Sequence, residues 1–186
     1  MLSLVKSFVG ISLFRSKPQD LPGSASLVWA TAIAGILIRT LVDRSEGPLS
    51  TIFAISAVQV ITFGAVVWLI LRMMGLSERW NQTISALYGT DCLVRLVGWP
   101  AISRFYSIKH QIDLSISTQA PLPPEAATPT LLLFVLAFWT IAIMTFVLRH
   151  ALEKSIGVSL IITLACQFAS SGIVLWLFFG QMAQET

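Results

Sequence analysis

Apolar positions in this chain fall into long blocks rather than alternating with polar ones. Four blocks, 25–42, 51–71, 130–148 and 157–179, are nearly unbroken. Each is close to the ~20 helical residues needed to cross a bilayer core. A fifth block, 83–102 (TISALYGTDCLVRLVGWPAI), is as long but carries Asp91 and Arg95 in its middle. The pattern predicts an all-α, polytopic membrane bundle of five transmembrane helices occupying residues 18–186. The alternative keeps four spans and makes 83–102 re-entrant. Within residues 1–17, Leu2, Val5, Phe8, Val9, Leu13 and Phe14 share one side of a helix, with Ser3, Lys6, Ser7 and Gly10 on the other. That suits a short amphipathic helix lying among the headgroups. Pro18 ends it, because the residue before a proline is pushed out of helical geometry. Lys6, Ser7, Gly10 and Ser12 interrupt the apolar run, and no small-residue cleavage site follows, so a signal peptide is not expected.

Connections and charge add topology. The turn 43–48 is short enough to make the first two spans an antiparallel hairpin. Residues 111–129 form a polar loop with Pro121, Pro123, Pro124 and Pro129 and no Lys or Arg. With a cytoplasmic N-terminus, Lys6, Arg15, Lys17, Arg72, Arg79, Arg149 and Lys154 lie inside, against Arg39, Arg44, Arg104 and Lys109 outside. This is the bias of the positive-inside rule. The four-span alternative is biased in the same direction.

Composition excludes an ordinary soluble domain. The chain is 55% hydrophobic and 11% charged, with mean hydropathy +0.81, where soluble domains have about 25% charged residues. The net charge of +3 is dispersed at block edges, so nucleic acid is not an expected partner; the bilayer is. Cys92 and Cys166 sit in apolar blocks and read as buried filler. The six tryptophans mostly mark block ends, as an aromatic belt does.

Intramembrane polar groups carry the candidate chemistry. Asp91 and Arg95 are spaced (i, i+4), on one helix face. Gln59 lies near the centre of the second span and Gln167 in the fifth. Arg39, near the exit of the first span, reads as an anchor snorkelling to the interface. The Asp91–Arg95 pair has two readings: an internal ion pair, with Gln59, Gln167 or Arg39 as further partners, or part of a polar track. Catalysis fails by inventory. His110 and His150 are at span ends, no second membrane aspartate stands near Asp91, and His150 with Glu153 falls short of a metal site. No enzyme, cofactor or metal is expected.

The order of features resembles the Yip1-type membrane domain, a five-span helical family. Asp20, Leu21 and Gly23 in Asp20-Leu21-Pro22-Gly23-Ser24 match the element that precedes the family's first span. Tyr88, Gly89 and Pro100 match the Tyr-Gly pair and later proline of its third. The likeness runs from Pro18 to Phe179 and is nearest the bacterial members, which lack the long hydrophilic arm of the trafficking proteins. It implies a five-span fold in a bacterial inner membrane. The expected function is a non-enzymatic accessory or scaffold binding other membrane proteins or lipids, or self-associating. Small-residue faces at Ala30/Ala34 and Ala165–Gly172 would serve its helix contacts. The competing expectation is a small oligomeric permease or ion pathway built on Asp91, Arg95, Gln59 and Gln167.

Overall fold

The computed structural model describes residues 2–118 and 123–179. Of the positions read above, Pro121 and the side chains of Leu2, His110 and Phe179 lie outside that description. The described residues are helical throughout, joined by short turns and 3-10 segments, with no strand among them. The helices are α1 (Leu2–Ser12), α2 (Ala25–Val42), α3 (Leu49–Met73), α4 (Trp80–Ser117), α5 (Ala127–Leu152) and α6 (Ile156–Phe179). The protein is an all-α bundle in which α2, α3, α5 and α6 are long and apolar enough to cross a membrane.

Five of the helices close a ring. Following contacts around it, α2 packs on α4, α4 on α5, α5 on α6, α6 on α3, and α3 back on α2. The predicted α2–α3 hairpin is present. Its turn is tightened by a 3-10 segment at Arg44–Glu46. Successive ring helices alternate in direction except across the α2–α4 contact, where two helices of the same direction lie side by side. The end of the ring formed by Ala25, Met73, Trp80, Leu152 and Ile156 is called here the proximal end. The end formed by Val42, Leu49 and Ala127 is the distal end.

The polar block 83–102 belongs to α4, a continuous helix of 38 residues through Gly89, Gly98 and Pro100. The re-entrant alternative is therefore not what forms. At 1.5 Å per residue α4 is about 57 Å long, well beyond a ~30 Å hydrocarbon core. It continues past the block, so residues 111–117, expected in a loop, are its last turns. Ten consecutive residues, Thr83–Cys92, are buried on every face. This is why α4 departs from the composition of its neighbours: protein surrounds its first half, where Thr83, Tyr88, Thr90 and Asp91 find hydrogen-bond partners.

The cover on one side of α4 is α1. Its Leu4, Phe8 and Ile11 turn inward, Ile11 completely buried, while Val5, Val9, Leu13 and Phe14 stay exposed. The expected single apolar side is thus divided, one part of it packing on α4 and α5. A Cβ at Gly89 would overlap the Phe8 ring, and Trp139 Nε1 donates to the Ser12 carbonyl at 3.1 Å. α1 ends in a Schellman motif with bonds from Arg15 N and Phe14 N to the Gly10 and Ile11 carbonyls. Phe14 takes the left-handed position usually given to glycine (φ 60°) and stacks edge-on against Phe146 at 5.3 Å. Filling the Gly89 notch with leucine should cost about 1–3 kcal/mol by overpacking. The expected readout is faster tryptic cleavage at Arg15, partly reversed by Phe8→Ala; unchanged cleavage would mean α1 is not held at this notch.

Polar contacts tie the proximal end. Gln82 Nε2 donates to the Leu21 carbonyl at 3.0 Å, Asn81 Nδ2 to the Gly23 carbonyl at 3.0 Å, and Gln19 Nε2 to the His150 carbonyl at 2.8 Å. Asp20 Oδ2 accepts from Lys17 N at 2.9 Å and Leu21 is buried, so this motif clamps the chain as it enters α2.

Candidate functional site: a charged cavity within the helix ring

The ring is not filled along its whole length. Its distal half holds an open cavity of about 450 Å³ lined from all five helices. Arg39 and Asp43 come from α2 and its end, Ser56 and Gln59 from α3, Asp91 and Arg95 from α4, Thr140 from α5, and Gln167 and Ser171 from α6. The lining runs from mid-ring at Gln59, Asp91 and Gln167 to the distal end at Asp43. Below it, a void of about 10 Å³ shares Arg39, Gln59, Asp91 and Gln167 and is floored by Phe63, Leu87, Tyr88 and Met144. That is room for about one water.

The charges form a quartet across the parallel α2–α4 contact. Asp91 Oδ2 accepts from Arg39 Nη2 at 2.9 Å, Arg39 Nε at 3.1 Å and Arg95 Nε at 3.3 Å. Arg95 Nη1 reaches on to Asp43 Oδ2 at 3.4 Å, and Tyr106 Oη donates to Asp43 Oδ1 at 3.4 Å. The expected Asp91–Arg95 contact is present, but Arg39 is the closer partner. Arg39 accordingly points into the protein, not to the interface as its position near the span exit suggested. Each helix carries an (i, i+4) pair in opposite order, Arg39…Asp43 against Asp91…Arg95. Two parallel helices in this register set every charge opposite its complement. Sliding either helix by one turn would bring like charges together, so the quartet fixes register as well as neutralising charge.

Gln59 and Gln167, predicted on separate spans, face the same cavity. Gln59 Nε2 donates to Ser170 Oγ at 3.2 Å, and Ser170 Oγ to the Gln167 carbonyl at 3.2 Å, joining α3 to α6. Tyr88 donates its hydroxyl to the Val60 carbonyl, and Gly64 leaves the room for it: any Cβ there would overlap the hydroxyl oxygen. This is the close α3–α4 approach that forms the floor. Gly98 makes a similar approach to α5, where a Cβ would stand 2.7 Å from Leu136 Cδ1. At the proximal end Glu153 pairs with Arg79 at 2.6 Å and His150 Nδ1 lies 2.9 Å from the Phe146 carbonyl. Cys92 and Cys166 are buried and unbridged.

Asp43, at the cavity mouth, is pushed above its ordinary value of 3.8 by burial, against the pull of Arg95 and Arg39. Between 3.8 and the raised value the folded protein binds more protons than the unfolded chain. Stability from this group is thus present below that window and falls as pH rises through it. Comparing unfolding of wild type and Asp43→Asn from about pH 4 upward, the difference should drift in favour of the variant as pH rises. A difference independent of pH would contradict this.

Comparison of the chain with protein-family models, with curated proteins and with solved structures finds no match.

Proposed function

We propose that this is a non-enzymatic integral membrane protein that admits a small polar solute into the ring and passes it across the bilayer, a small permease. The observation that supports this most is the convergence of Arg39, Asp43, Gln59, Asp91, Arg95 and Gln167 from four of the ring helices and the end of α2 on one cavity. A bundle needing only to hold a polar helix could bury its ion pair without leaving 450 Å³ beside it. Such pockets are the usual size for small-molecule sites. Under this proposal the floor of Phe63, Leu87, Tyr88 and Met144 acts as the closed side and solute enters from the distal side. In this reading α4 is the fifth crossing helix, the proximal end with Arg15, Lys17, Arg72, Arg79, Arg149 and Lys154 is cytoplasmic, and the membrane is a bacterial inner one. The resemblance to Yip1-type domains supports the same five-span order.

The scaffold reading rests on a different observation. Ala165, Ala169 and Gly172 are exposed on α6, and nothing stands near a Cβ at Gly172. Proteoliposomes separate the two. A permease gives swelling in iso-osmotic polar solutes that Asp91→Asn reduces at least tenfold, and the variant's gel-filtration profile reports whether it has folded. No flux from well-folded wild type, with a membrane complex co-purifying from native membranes, favours the scaffold.

A further inference from the structure

The lining has formal charge zero, because Arg39 and Arg95 are matched by Asp43 and Asp91. Its hydrogen-bonding capacity is not used up. Among the described residues no hydrogen bond reaches Arg39 Nη1, Arg95 Nη2, Asp91 Oδ1, Gln59 Oε1 or the Gln167 carboxamide. None of these is a sealed, partnerless atom, unlike Ser12, Ser85 and Ser159 Oγ. They retain access to space at a cavity whose walls hold spare donors on guanidiniums beside a spare carboxylate oxygen.

We propose that the cavity selects zwitterions, a paired ammonium and acidic oxyanion; this rests on the solute-binding reading above. The oxyanion takes the free guanidinium nitrogens of Arg39 and Arg95, as such groups favour planar oxyanions. The ammonium takes Asp91 Oδ1 with the Gln59 and Gln167 carboxamide oxygens. Net charge decides against the two halves alone. An anion or a cation entering a lining already neutral leaves one charge uncompensated in a low-dielectric site, whereas a zwitterion leaves none. An apolar ligand leaves the free donors and acceptors desolvated and unpaired. The same chemistry is offered by a free amino acid and by an ethanolamine phosphodiester headgroup.

The test is the unfolding midpoint of purified protein with glycine, glycerophosphoethanolamine, sodium acetate or methylammonium chloride, each raised to about 10 mM and beyond, since a ligand bound only by the folded state stabilises it by mass action. A zwitterion should raise the midpoint at tenfold or more lower concentration than either single ion. Gln167→Leu, which leaves the quartet intact, should weaken that response. A glycine response identifies a free solute, and a response to glycerophosphoethanolamine alone identifies a headgroup. Acetate or methylammonium acting as well as glycine overturns zwitterion selection while leaving the solute cavity standing. No response to any probe, with solute flux retained in proteoliposomes, overturns it likewise; no response and no flux overturns both readings.

Discussion

Replacing Asp91 with alanine should destabilise the protein by about 3–5 kcal/mol, the usual consequence of removing one partner from a buried ion pair. The side chain is only 10% exposed and its Oδ2 accepts from both Arg39 and Arg95, so its loss leaves two guanidiniums in the bundle with Asp43 as the remaining acid. Arg39→Leu together with Asp91→Leu should cost less than Asp91→Ala alone, because no buried charge is then orphaned. Inverting all four charges (R39D, D43R, D91R, R95D) restores each opposite pair and should recover much of the folded yield that any single inversion loses. If the single, double and fourfold variants unfold alike in denaturant titrations, the quartet does not hold α2 against α4.

Gly64→Ala should be the most damaging one-methyl change in the ring. The new Cβ would collide with the Tyr88 hydroxyl and break its bond to the Val60 carbonyl, separating α3 from α4 at the cavity floor. Overpacking of this kind costs about 1–3 kcal/mol, and a hydrogen bond within a membrane bundle averages about 0.6 more. Tyr88→Phe in the same protein removes the colliding oxygen, so the double variant should be more stable than Gly64→Ala alone. A thermal melt in which Tyr88→Phe worsens Gly64→Ala would show that the hydroxyl is not the obstacle.

The sequence disclosed the four lipid-compatible helices because their apolar runs are long and almost uninterrupted. It also picked out Asp91, Arg95, Gln59 and Gln167, since polar groups in such runs stand out against their surroundings. What it concealed was tertiary. Arg39 lies three residues from the end of α2, where a snorkelling anchor is the ordinary expectation, and only the parallel packing of α2 on α4 turns it inward. Asp43 and Tyr106 were hidden for the same reason, as one sits just past a helix end and the other beyond the apolar block. The matching spacing of Arg39…Asp43 and Asp91…Arg95 was the available signal, legible only once those two helices are known to be neighbours. The glycines at 64 and 89 mark close approaches whose partners, Tyr88 and Phe8, lie far away in the chain. The apolar residues of α1 look like one face in sequence, because nothing local reveals that α4 needs a cover on that side.

The central claim is a water-accessible polar cavity inside the helix ring, and thiol labelling tests it most directly. In a background of Cys92→Ala and Cys166→Ala, single cysteines at Gln59 and Gln167 should react with a small, charged, water-soluble thiol reagent supplied from the Asp43 side. Cysteines at Leu131 and Phe168, 66% and 76% exposed on the outer faces of apolar helices, should stay unreactive in the bilayer. Reactivity at Gln59 and Gln167 no greater than at Leu131 and Phe168 would contradict the account.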